Sequence, residues 1–236
     1  MNELLDQAQL VEQIEHLIKS KNWYSPTESS RFIWEGSVRL MATMIAQEIG
    51  YISPEQIQQI IGNSFTPDAL SLANSEYFVD CLLEIDSELI LWSEGDIAWQ
   101  KLKALRTGLV NGRSIRTEFF AKNKIDRLKD IILSLASKSG KEVNVVVIDD
   151  KKKNLTHALS LQDQVSASGI IISTYHLSLQ DSLTGPAACL SFLSEMTGKN
   201  IRLIVDMDGV LINTDLVLSE IVSQKLAQAL LNQKNF

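Results

Sequence analysis

Two carboxylates, Asp206 and Asp208, flank Met207 directly after the apolar run Ile201-Arg202-Leu203-Ile204-Val205, and Gly209 follows at once. Such a run reads as a buried strand, and extended geometry would point both acids to one side. Like charges that close are costly unless a cation lies between them, and a hard ion such as magnesium suits oxygen ligands. Asp149-Asp150 repeats the theme after Val143-Asn144-Val145-Val146-Val147-Ile148. Ser93 follows the apolar Glu88-Leu89-Ile90-Leu91-Trp92, and Lys122 and Lys124 follow Thr117-Glu118-Phe119-Phe120-Ala121. If these runs are parallel strands, their carboxyl ends share one edge, where such sheets bind ligands. That edge would gather four carboxylates, a hydroxyl and one or two lysines. The set suits phosphoryl transfer: a metal neutralises acids and phosphate, lysine and hydroxyl hold the phosphate, and one carboxylate attacks. The plainer alternatives are a polar turn at Asp206–Gly209 and solvated helix-opening charges at Lys122 and Lys124.

The elements needed to position these groups are legible in the order of the chain. From Ser87 onward strand and helix patterns alternate, with a fifth strand at Gly169-Ile170-Ile171-Ile172-Ser173-Thr174. Helices are expected from Ile97 to Thr107, through Ile125–Leu135, through Leu155 and Leu159, over Pro186–Met196 and over Leu216–Leu231. This alternation predicts an α/β fold, a Rossmann-like parallel sheet with helices on both faces. The first ~85 residues read as helices only, beginning with Leu4, Ala8, Val11, Ile14, Leu17 and Ile18 at helical spacing. Ser25-Pro26-Thr27-Glu28, Ser53-Pro54-Glu55-Gln56 and Thr66-Pro67-Asp68-Ala69 each offer a capping hydroxyl followed by proline at the first helical position. Glu28 and Gln56 fall where a capping box requires them, and Gly50 and Gly62 fall where two helices should stop.

Composition narrows the classes. At 236 residues the chain can bury a substantial core. A net charge of -7 argues against nucleic acid or an anionic membrane as the main partner. Cys81 and Cys189 are too few for a disulfide framework and lack metal-ligand spacing. His16, His157 and His176 are scattered and read as surface or packed side chains. Neither a secretory signal nor an apolar stretch of spanning length is visible, so a cytoplasmic protein is expected. Lys151-Lys152-Lys153 reads as a solvated helix start, and Trp92 and Trp99 as core.

Val205-Asp206-Met207-Asp208-Gly209-Val210-Leu211, with Thr214 shortly after, resembles the first motif of the haloacid dehalogenase (HAD) superfamily. Most members of that superfamily are phosphatases with a Rossmann-like sheet. Ser93 after an apolar strand is similar to its second motif, and Asp149-Asp150 to its fourth. The resemblance spans roughly 87–231. In the family the nucleophile motif comes first in the chain; here it comes last, which reads as a circular permutation cut inside the helical cap. The resemblance then implies a composite α-helical cap, 1–84 completed by 215–236, and a catalytic core at 85–214.

Carried over residue by residue, Asp206 would attack phosphorus and become an aspartyl phosphate. Asp208 would protonate the leaving oxygen, later activate water, and offer its backbone carbonyl to the metal. Ser93 would bind the phosphoryl group, and a lysine, Lys124 in preference to Lys122, would stabilise nucleophile and phosphate. Asp150, with or without Asp149, would complete a magnesium site. The substrate implied is a small phosphorylated metabolite, selected by cap residues of which Trp23, Tyr24, Arg31, Trp34 and Arg39 are candidates. Two other classes compete. A receiver-type phosphoacceptor domain would also use an acidic pair, but too little chain follows Asp206 for its remaining strands. A HAD-like module without turnover would serve binding alone.

Overall fold

The computed structural model describes residues 7–20, 34–67, 75–86, 88–95, 97–136, 142–179, 184–196 and 199–234. The chain divides into two compact units, Met1–Thr66 with Thr214–Phe236, and Pro67–Asn213.

The first unit is helical. α1 (Gln7–Ser20) packs against the last helix of the chain, and α2 (Trp34–Ile49) against α3 (Pro54–Gly62). The buried stripe of α1 is Leu10, Ile14 and Ile18, at intervals of four, whereas Ala8 is exposed. Ser53 caps α3 as expected: its Oγ accepts from the Gln56 amide, and Gln56 Oε1 accepts from the Ser53 amide. Gly50, in the left-handed region at φ 69°, ends α2. The expected caps at Ser25–Glu28 and the helix opening at Pro67–Ala69 lie outside the described residues or reach into them only at 66–67.

The second unit is α/β. Five strands, β1 (Ile90–Glu94), β2 (Arg116–Phe120), β3 (Val143–Asp149), β4 (Ile170–His176) and β5 (Ile201–Asp206), form one sheet in the order β2-β1-β5-β3-β4. Every pairing is parallel. β3 is buried at every position, and alternate residues face opposite ways, so both faces of the central strands are covered. On one face Ile90, Trp92, Val145, Val147 and Ile204 pack with Leu128, Ile132, Leu155 and Val165 from the crossover helices. α4 (Ser75–Ile85) also belongs to this unit; Phe78, Val79 and Leu82 are its buried side. The remaining helices are α5 (Ile97–Arg106), α6 (Leu128–Ala136), α7 (Lys152–Ser160), α8 (Gln162–Val165) and α9 (Gly185–Ser194).

After β5 the chain resumes as helix: α10 (Thr214–Leu216), a π-helical stretch Val217–Val222, and α11 (Ser223–Lys234). Ser223 Oγ donates to the Leu218 carbonyl five residues back, matching the wider π turn. Among the described residues no helix is long and apolar enough to cross a membrane.

Candidate functional site

β5 is the middle strand, and its register sets the site. Trp92 of β1 pairs with Asp206, and Ile148 of β3 pairs with Val205, so Asp149 is the next residue along beside Asp206. In-register residues of parallel neighbours share a face, which places Trp92, Asp206 and Asp149 side by side. Lys124 reaches all three. Its Nζ lies 2.8 Å from Asp206 Oδ1, 3.0 Å from Asp149 Oδ2 and 4.3 Å from the centre of the Trp92 ring.

The sequence presents this lysine by a tight turn after β2. Asn123 takes the left-handed conformation at φ 56°, which asparagine tolerates better than most residues, and a 3₁₀ turn Lys124–Arg127 follows. Glu94 Oε2 accepts from the Lys124 amide at 2.7 Å and anchors the turn to β1. Lys124 is buried while Lys122 is exposed, which separates the two sequence candidates.

Asp149 is fully buried and its hydrogen bonding is dense: it accepts from the Lys151 amide at 2.8 Å and from Asn154 Nδ2 at 3.0 Å to both oxygens. Asp150 is half-buried, and its Oδ1 has no hydrogen-bond partner among the described residues. Gly209 makes room for it. A Cβ there would sit 2.6 Å from Asp150 Oδ2, and the φ of +82° would strain any other residue. His176 Nε2 donates to the Asp150 backbone carbonyl at 2.9 Å. One oxygen from each of Asp149, Asp150 and Asp206 lies within 4.8 Å of the others.

Electrostatics follow from this crowding. Burial pushes the Asp206 carboxyl up to about 7; Lys124 opposes the rise and Asp149 adds to it. Burial also raises Asp150, with Lys151 opposing and Asp149 adding. For Lys124 burial alone would lower the ammonium, but the charges of Asp206 and Asp149 outweigh it and hold it above its ordinary value. Three carboxylates beside one buried ammonium leave an excess of negative charge in a poorly solvated place. An all-carboxylate donor set with an unpartnered buried oxygen fits a hard divalent cation.

Asp208 belongs to a second cluster. The strand ends at Asp206, so the alternation expected to carry Asp208 to the same side stops there. Its carboxylate pairs with Lys103 Nζ, accepts from Gln100 Nε2 at 3.1 Å, and lies 3.5 Å from Ser93 Oγ. Ser93 is thus directed at Asp208. The structure brings Asp206, Asp149, Asp150 and Lys124 into one group, and Ser93 and Asp208 into another. Trp92 is core, as expected, but is also the floor under Lys124. Trp23, Tyr24 and Arg31 lie outside the described residues.

Sequence reasoning missed Asn154, Gln100 and Lys103. Each is a polar side chain buried on a helix interior, where asparagine in particular is disfavoured unless bonded. On α5 the signal was available: Gln100, Lys103, Ala104 and Thr107 stand at i, i+3, i+4 and i+7. Compared with protein-family models, with curated proteins and with solved structures, the chain gives no match.

Proposed function

We propose that the protein is a magnesium-dependent phosphohydrolase acting on a small phosphorylated metabolite, with Asp206 as nucleophile. The observation that carries this reading is the buried Lys124 ammonium bridging Asp206 and Asp149 at the carboxyl edge of the parallel sheet. Supporting it is the central place of β5, the last strand in the chain, which is what a permuted HAD-like order requires. Asp149, Asp150 and Asp206 would hold the cation, whose contribution when bound is to neutralise acids and phosphate oxygens alike.

The chain's own groups divide the remaining work. Lys124 keeps Asp206 oriented and its negative charge compensated. An Asp206 carboxylate oxygen attacks phosphorus as the bond to the leaving oxygen breaks, forming an aspartyl phosphate. Asp208 gives the leaving oxygen its proton, then takes one from the water that attacks the aspartyl phosphate and releases inorganic phosphate. Asp206 is only 2% exposed, and so little opening admits a slender phosphomonoester more readily than a side chain on a folded protein.

Steady-state hydrolysis of an aryl phosphate with and without magnesium tests this. Turnover that needs the metal and is lost in Asp206→Asn is expected. A wild type inert across metals and phosphate esters would leave a binding module in its place.

A further inference from the structure

α5 is inverted relative to an ordinary surface helix. Its buried positions are Gln100, Lys103 and Ala104, with Thr107 just beyond, while Ile97 and Leu105 are 39% and 53% exposed. A helix that only covered a sheet would bury Ile97 and Leu105 and leave the glutamine and lysine in water. Here the polar stripe converges on Asp208. Lys103 Nζ pairs with Oδ1, and Gln100 Nε2 donates to Oδ2 and to the Glu94 carbonyl, both at 3.1 Å. Both partners of that amide nitrogen are acceptors, which fixes which way the amide faces. Its Oε1 is left buried with no partner among the described residues. Burying an ammonium and an amide around one carboxylate costs desolvation, a cost expected where the group they hold has a functional role.

We infer that Lys103 and Gln100 are positioning residues that hold the Asp208 carboxyl group in the orientation for proton transfer to the leaving oxygen. This rests on the phosphohydrolase reading and extends it to residues outside the metal cluster. The pair grips the two oxygens from adjacent turns of one helix, which fixes the plane of the carboxyl group as well as its position. The helix itself starts three residues after Glu94. The Gln100–Glu94 bond ties that grip to the same residue that anchors the Lys124 turn. The proton leaves Asp208 as the bond from phosphorus to the leaving oxygen breaks, and the Lys103 ammonium faces the carboxylate that remains.

The test compares wild type, Lys103→Met, Asp208→Asn and the double variant on two substrates with magnesium present. One is an aryl phosphate, whose leaving group needs little protonation; the other is an alkyl phosphate, whose leaving group needs it. Lys103→Met should lower kcat on the alkyl phosphate by about 100-fold, within the range for general acid catalysis, and on the aryl phosphate by less than about tenfold. In the Asp208→Asn background the same substitution should add no further loss, because the two act as a unit. Equal losses on both substrates, or additive losses in the double variant, overturn the inference while leaving the phosphohydrolase intact. A wild type inert on both substrates overturns that reading and this inference with it. Should Lys103→Met lack a thermal unfolding transition, Gln100→Leu carries the same comparison, with the same pattern expected and the same outcomes counting against it.

Discussion

Asp206 and Gly209 carry the sharpest expectations at the scale of single residues. Burial raises the Asp206 carboxyl to about 7, against a value near 3.9 in an unfolded chain. Between those values the folded protein keeps a proton that the unfolded chain has released, so stability falls as pH rises from about 4 to about 7. Asp150, also raised, acts in the same direction. Lys124 is raised as well, but as a base its contribution is lost only at alkaline pH, outside that window. In metal-free protein the melting temperature of Asp206→Asn should therefore overtake that of wild type as pH is raised from 5 to 8. Parallel curves would show that Asp206 does not titrate abnormally. Gly209→Ala drives a methyl group into the Asp150 carboxylate and should weaken magnesium binding by about 10- to 100-fold in calorimetric titration. Gly112→Ala is the control: it also has positive φ, yet nothing lies within 4 Å of the added carbon, so magnesium affinity should stay put.

Among elements, β5 is held at both ends. At its carboxyl end it offers Asp206; near its amino end Asp86 reaches it from the segment after α4. The buried Asp86 carboxylate accepts from the Leu203 amide at 2.7 Å and from the Glu88 amide and Arg202 Nη1 at 3.0 Å each. Asp86→Ala strands two amides and removes a partner from Arg202, which should cost about 3 kcal/mol in urea denaturation. A loss below about 1 kcal/mol would mean that water replaces the carboxylate. Elements of this kind were largely legible in the sequence. The valine-rich β3 and the apolar β5 could be read because strands covered on both faces are continuous apolar runs. Asp86 could not be picked out, since an aspartate between a helix and a strand reads as a turn residue until its acceptors' partners are known. Lys122 and Lys124 are two residues apart, and which is buried depends on the left-handed turn at Asn123 and on the partners that hold Lys124, none of which spacing reveals.

For the whole molecule, the order β2-β1-β5-β3-β4 makes the last strand the hydrogen-bonded bridge between two pairs of strands. Parallel pairings between segments this far apart are intrinsically slow to form, because loop-closure entropy is lost before the contacts are made. Ile204→Pro removes a ladder amide at the centre of that bridge, and the variant should show no cooperative thermal transition by circular dichroism. A preserved transition would mean that the two pairs stand without β5. The acidic edge followed from the alternation of strand and helix, because parallel topology sends all carboxyl ends one way. The split of that edge into an Asp206 cluster and an Asp208 cluster did not. It depends on where β5 stops, which spacing along the chain does not encode, and on the polar stripe of α5, whose helical spacing is visible but reads equally as a solvated face.

Chemical capture of the intermediate bears most directly on the proposed function. Protein quenched in acid during turnover of an aryl phosphate with magnesium would be digested and mapped by mass spectrometry. A phosphoryl group on Asp206 is expected, absent without magnesium and absent in Asp206→Asn. Turnover with the phosphoryl group on another residue, or undiminished turnover in Asp206→Asn, would contradict it.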